Sequence, residues 1–292
     1  MTFGIAPPGY RLPAAASVGR VRLQVSNLTR SIGYYQHILG MRVLSRTATT
    51  AELGSEGGER VLVELHERPG ARPVPRRGTV GLYHFALLLP DRPSLGRFLG
   101  HLATTGVHVG MADHLVSEAL YLSDPDGLGI EVYRDRPRET WTMGPHRQLD
   151  MASDPLDAEG VVADAGDEPW TGQPAGTVMG HVHLHVGDLP AAEAFYHRAL
   201  GFDKTTWTYP GALFMSAGGY HHHLGTNTWS SGAPSAEDQA RLLSWDLEVP
   251  TAADATAAAE SLMAAGHHAH AAGTSWEAAD PWGTRVRIVP SA

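Results

Sequence analysis

The sequence predicts an α+β protein built from four βαβββ modules that assemble into two barrel-like domains. Two observations carry this prediction. The segments Gly19-Arg20-Val21-Arg22-Leu23-Gln24-Val25 and Gly180-His181-Val182-His183-Leu184-His185-Val186 open two stretches with the same order of features. Two Asp-Pro-x-Gly tetrads, at Asp124–Gly127 and Asp280–Gly283, each lead into a closing strand. Alternating side-chain polarity marks strands with one buried face, and recurrence of the whole pattern marks a duplicated unit.

Module one spans residues 18–68. Its opening strand is followed by Asn27, suited to cap a helix, the aromatic pair Tyr34-Tyr35, and Leu39-Gly40, where Gly40 can end the helix. Module two spans 79–135. It has a strand around Leu82–Leu87, a helix near 93–105, the first tetrad, and a strand from Leu128 to Tyr133. Module three spans 179–230 and repeats the first in detail, with Asp188 as cap, Phe195-Tyr196 as the aromatic pair and Leu200-Gly201 at the helix end. Module four spans 240–290, with a strand at Leu242–Val249, an Ala-rich helix near 251–265, the second tetrad and a strand from Thr284 to Val289. The tetrads supply turn chemistry. Residues 17–137 and 179–291 are therefore expected as two domains, with 138–178 as a linker holding a short helix around Leu156–Ala165. Glu67–Gly78, with three Pro and four Arg, is expected to be a loop.

Composition narrows the chemistry. The 292 residues carry a net charge of −9 with only 22 Lys and Arg, and no long basic stretch argues for a nucleic-acid partner. No apolar run approaches the ~18 residues of a membrane span. The segment Met1–Ala16 lacks the pattern of a secretory signal, so a cytoplasmic protein is expected. There is no Cys, but there are 17 His. A transition-metal site must therefore use imidazole and carboxylate, ligands that suit iron, manganese or zinc.

The repeat resembles the vicinal oxygen chelate superfamily, which includes glyoxalase I, fosfomycin and bleomycin resistance proteins, and type I extradiol dioxygenases. The resemblance covers nearly the whole chain outside the first ~16 residues and the linker. In that superfamily a ligand His lies on the first strand of a module and a ligand Glu on the last. Carried to this sequence, the rule selects His84, seven residues before Asp91, His181, seven before Asp188, and Glu131, four after Gly127. Modules one and four offer Arg20, Ser244 and Arg287 at corresponding positions. The resemblance thus implies that modules two and three form the working barrel and that modules one and four pair without metal. Better-known extradiol enzymes carry the site in their last two modules. Two imidazoles and one carboxylate favour Fe(II) with open positions, and Mn(II) accepts the same set.

The run from His114 through Tyr121 and Asp124-Pro125-Asp126-Gly127 to Glu131 resembles the extradiol signature, departing from it at Ala112. That likeness implies that His114 hydrogen-bonds substrate or oxygen and that Tyr121 contacts a catecholate oxygen. His222-His223, followed by Leu224-Gly225, is similar to the His pair that supplies the acid–base group, and either member is a candidate. Gly81–Ala86, Val116–Tyr121, Asp135–Arg138 and Ser216–His223 further resemble the two-domain bacterial catechol-2,3-dioxygenases of the Bacillus type. The expected function is extradiol cleavage of a small aromatic diol by O₂ to a muconic semialdehyde, with no nucleic-acid or membrane partner; a homo-oligomer is compatible with it. The alternatives are a glyoxalase-like metal-dependent lyase or isomerase, and a non-catalytic protein that sequesters an aromatic drug. Trp207, Trp229, Trp245 and Trp276 are candidates either to line a pocket or to pack.

Overall fold

The computed structural model describes residues 3–75 and 77–291; Met1, Thr2, Arg76 in the Glu67–Gly78 loop, and Ala292 lie outside the described residues. Each module is a strand, a helix and three strands. Module one contains β1 (Ser17–Val25), α1 (Leu28–His37), β2 (Arg42–Arg46), β3 (Thr50–Gly54) and β4 (Val63–Glu67). Module two contains β5 (Thr79–Leu88), α2 (Arg92–Thr105), β6 (Gly110–Asp113), β7 (Ser117–Ser123) and β8 (Gly129–Asp135). The linker carries α3 (Ala158–Asp164). Module three follows with β9 (Val178–His185), α4 (Leu189–Ala192, wound on as a π-helical stretch over Glu193–Ala199), β10 (Asp203–Thr206), β11 (Ala212–Ser216) and β12 (Leu224–Asn227). After the short β13 (Ala233–Pro234), module four has β14 (Arg241–Val249), α5 (Ala252–Ala264), β15 (Ala269–Ala272), β16 (Ser275–Ala279) and β17 (Arg285–Pro290). Among the described residues, no helix is long and apolar enough to cross a membrane.

Helix starts follow from local chemistry. Asn27, Asp91 and Asp188 each accept a hydrogen bond from the backbone three residues on, at 2.9, 2.8 and 2.8 Å. Thr251 and Asp254 form a reciprocal capping box. Each such cap is worth about 1 kcal/mol. Gly40 and Gly201 lie after the helices of modules one and three with φ of 69° and 98°, a backbone region nearly closed to other residues. At Gly96 a side chain is excluded altogether: a Cβ there would stand 2.1 Å from the Val161 carbonyl oxygen, so this glycine lets α2 lie against α3.

The strands form two sheets that cross the sequence halves. One runs β15-β16-β17-β14-β1-β4-β3-β2, joining modules four and one. The other runs β10-β11-β12-β9-β5-β8-β7-β6, joining modules three and two. Within every module the first strand pairs parallel with the last, and the two first strands in a sheet pair antiparallel. The division at 137 and 179 follows chain order, whereas each sheet takes one module from either side of it. The shared core includes the fully buried Leu23, Phe85, Phe98, Phe195, Phe202 and Trp245.

The aromatic pairs and the Asp-Pro-x-Gly tetrads meet in space. Asp280 Oδ1 accepts from the backbone of Trp282 and Thr284 at 2.9 and 2.8 Å, and its Oδ2 accepts from Tyr196 Oη at 2.9 Å. Asp124 repeats the arrangement with Asp126, Leu128 and Tyr35, the last at 3.4 Å. A helix of one module is thereby tied to the closing turn of the next. Burial pushes the Asp280 carboxyl up and Asp124 up to about 7. Replacing Tyr196 by Phe should therefore cost about 1–3 kcal/mol, read as a lower urea midpoint at unchanged slope, and Tyr35→Phe should cost less because its bond is longer. An unchanged midpoint in Tyr196→Phe would show that the tie contributes nothing.

Candidate functional site

The central strands β8, β5 and β9 bring three ligand-type side chains to one face. Ala86 on β5 lies opposite Glu131 on β8 and opposite His181 on β9. His84, two residues before Ala86, points to the same face. Ala86 has only a methyl group there, packed in a small cluster with Ala119 and Tyr133. The ligand atoms of His84, Glu131 and His181 all lie within 4.8 Å of one another, and the three residues are 4, 2 and 1% exposed.

Glu131 Oε2 is 3.0 Å from His84 Nε2 and 3.2 Å from His181 Nε2. The second contact has hydrogen-bond alignment, but the first does not: His84 Nε2 stays without an aligned partner among the described residues despite its proximity. The geometry is that of donors aimed at a common point, so the orphaned nitrogen and the adjacent carboxylate fit a divalent cation. Burial pushes the Glu131 carboxyl up, yet the two imidazoles outweigh it and hold that carboxyl well below the usual range. Burial also lowers His84 against the pull of Glu131. An anionic carboxylate beside a neutral imidazole is the protonation state a metal requires.

A cavity of about 140 Å³ opens against His84 and Glu131, while His181 lies behind them. One of ~150 Å³ admits a single benzene ring. His114, Tyr121 and His222 line it. Tyr121 on β7 pairs with Glu131 on β8. His114 Nδ1 is 2.6 Å from the Ala152 carbonyl, which can only accept, so Nδ1 carries the proton. In neutral His114, Nε2 is then an acceptor for the Tyr121 hydroxyl at 2.6 Å. Burial, with Glu131 nearby, pushes Tyr121 well above the usual phenol range, so it keeps its proton.

Of the His pair, His222 lines the cavity, while His223 Nδ1 accepts from the Ala217 backbone at 3.1 Å and its ring lies against Tyr220. Burial holds His222 well below its ordinary range and lowers His223 to about 3. Alternation puts His183 and His185 on the face of His181 without forcing a choice among them, and His183 faces His84 across the strand pair and lines the cavity. Other lining residues had no signal in the sequence: Tyr83, Tyr209 and Phe214, and also Met151, Ala152 and Ser153, by which the linker contributes a wall. Of the four tryptophans, Trp229 lines the cavity, Trp245 is core, and Trp207 and Trp276 pack at the margin of the core.

This combination of repeat, sheet pairing and buried site defines a class. The chain belongs to the glyoxalase/bleomycin resistance protein/dioxygenase superfamily, whose family model matches residues 17–132 and 178–288. A catechol-2,3-dioxygenase of Bacillus subtilis (strain 168) is 43% identical over 268 residues, covering 90% of this chain and 93% of that protein. A solved putative dioxygenase from Bacillus subtilis subsp. subtilis str. 168 matches with a TM-score of 0.66 at 13% identity, over 96% of this chain and 86% of that one. Glyoxalase I from Zea mays matches at 0.56 and 20%, over 94% and 92%. These structural likenesses speak to the fold alone.

The site should bind one divalent ion per chain. Titration calorimetry with Mn(II) should give unit stoichiometry, and Glu131→Gln or His84→Ala should weaken binding by at least ~100-fold, more than loss of an outer partner costs. Equal affinity in these variants would show that the ion binds elsewhere.

Proposed function

We propose that this chain is an extradiol ring-cleaving dioxygenase that converts a catechol and O₂ to a muconic semialdehyde, with Fe(II) held by His84, Glu131 and His181. The observation that carries this reading is the convergence of two imidazoles and one carboxylate beside a ring-sized cavity lined by His114, Tyr121 and His222. Mn(II) suits the same ligands. A facial set of this kind leaves adjacent open positions, where the ion would bring a chelating diol and O₂ together and pass electrons between them.

The protein's own groups do the rest. Tyr83, Phe214 and Trp229 give the aromatic ring apolar walls, and among the described residues no Lys or Arg lines the cavity. An uncharged ring is therefore favoured over a carboxylated one, which would lack a counter-ion. His222 offers the catechol a proton acceptor and returns the proton when the cleaved oxygen needs it. Tyr121 holds one phenolic proton, directed at His114 Nε2, and turning it from there to a substrate oxyanion would let it donate to that oxygen. His114, anchored through the Ala152 carbonyl, orients that phenol.

A glyoxalase-like reaction uses two carboxylates at the metal; the cluster here contains one. A purely sequestering protein has no need for the three converging ligands. The test is direct. Protein loaded with Fe(II) without air, then given catechol and ¹⁸O₂, should form a yellow ring-fission product with both labelled atoms incorporated. No colour from metal-replete protein would overturn the reading. Elemental analysis of protein purified without added metal decides between iron and manganese.

A further inference from the structure

Behind His222, away from the cavity, lies a buried chain of hydrogen bonds that the ring-cleavage reading does not use. His222 Nδ1 is 2.7 Å from His221 Nδ1. His221 Nε2 is 2.8 Å from Asp135 Oδ1 at the end of β8. The same oxygen accepts from Tyr220 Oη at 3.1 Å, and Tyr220 Oη lies 2.7 Å from Tyr133 Oη. The His221 ring is fully buried, and Tyr220 and Trp141 pack on it with centroids at 4.0 and 5.5 Å. The Asp135 side chain is 27% exposed and forms the outer end of the chain.

With Asp135 ionised and His221 neutral, each link has one direction. An ionised carboxylate only accepts, so both groups that touch Asp135 Oδ1 must donate to it. Tyr220 therefore spends its proton on Asp135, and Tyr133 donates to Tyr220. Burial pushes both phenols well above their usual range, so these protons stay in place. His221 spends its Nε2 proton on the same oxygen. In its neutral form it then has only a lone pair at Nδ1, and the short contact to His222 requires His222 Nδ1 to carry the proton. That contact occupies Nδ1, so Nε2 is the other ring nitrogen of a residue that lines the cavity.

We propose that Asp135 and His221 are positioning residues that hold His222 as the Nδ1–H tautomer, leaving its Nε2 lone pair as the base presented to the cavity. The role of His222 as base rests on the reading above; the tautomer does not. The partner of one imidazole nitrogen sets which nitrogen is protonated, and here that control comes from two residues that do not touch substrate. The device also crosses modules: Asp135 ends module two, and the histidines belong to module three.

Metal-free protein labelled with ¹⁵N-histidine tests this at about pH 8. Two-bond ¹H–¹⁵N correlations separate the tautomers, and the His222 pattern is identified by its loss in His222→Gln. The Nδ1–H pattern is expected in the unmodified protein. It should persist in Asp135→Asn, whose amide oxygen can accept from the same two donors, and should give way to an Nε2–H or mixed pattern in Asp135→Ala. With Fe(II) and catechol, Asp135→Ala should lose roughly 10–100-fold in kcat at a KM within about twofold, the scale of outer-partner losses, while Asp135→Asn recovers most of it. An Nε2–H pattern for His222 in the unmodified protein, or no change in Asp135→Ala, would overturn the proposal. A correct tautomer in a protein that cleaves no catechol would leave this assignment standing and count only against the dioxygenase reading.

Discussion

The antiparallel pairing of β5 with β9 is the constraint on which the rest depends. It joins modules two and three, and its register sets His183 opposite His84 and His181 opposite Ala86. The parallel pairing of β5 with β8 then sets Glu131 opposite Ala86 from the other side. A slip of one residue in either register would turn a ligand to the opposite face. The helix caps and the Tyr–Asp ties matter to the site because they fix where each strand begins and where each closing turn lies.

Much of this was legible in the sequence because it is duplicated. His84 and His181 could be aligned by their equal distances from the capping Asp91 and Asp188, and Glu131 by its distance from the turn glycine Gly127. The choice between His222 and His223 was not legible from strand alternation, because these residues precede β12 in a bend after Gly218 and Gly219, both at positive φ. The linker wall left no signal either: Met151–Ala152–Ser153 is defined by tertiary contact alone, through the bond of Ala152 to His114 and that of Ser153 to Tyr209. Asp135 lay within a stretch noted only for likeness to other proteins, and its link to His221 spans 86 positions in sequence.

The second sheet shows what the same architecture does with different side chains. At the positions matching the ligands stand Arg20, Ser244 and Arg287. Arg22 pairs with Asp246 at 2.6 Å and with Glu64 at 3.1 Å, Arg20 with Glu64 at 3.3 Å, and Arg287 with Glu277 at 3.0 Å. These carboxylates are neutralised by guanidinium groups from within the protein, whereas the contacts of Glu131 are to two imidazoles. Removing one partner from such a half-buried network leaves a charge uncompensated, so these arginines are structural residues rather than remnants open to a metal. One sheet thus has its charges balanced internally, and the other holds the carboxylate that we propose takes a cation.

Anomalous diffraction from crystals loaded with Fe(II) under anaerobic conditions tests the central claim most directly, because it locates the ion without reference to turnover. A single iron peak per chain is expected, bounded by His84, Glu131 and His181 at ligand distance and facing the cavity lined by Tyr121 and His222. A peak in the sheet of modules one and four, or coordination that leaves out any of the three residues, would contradict it.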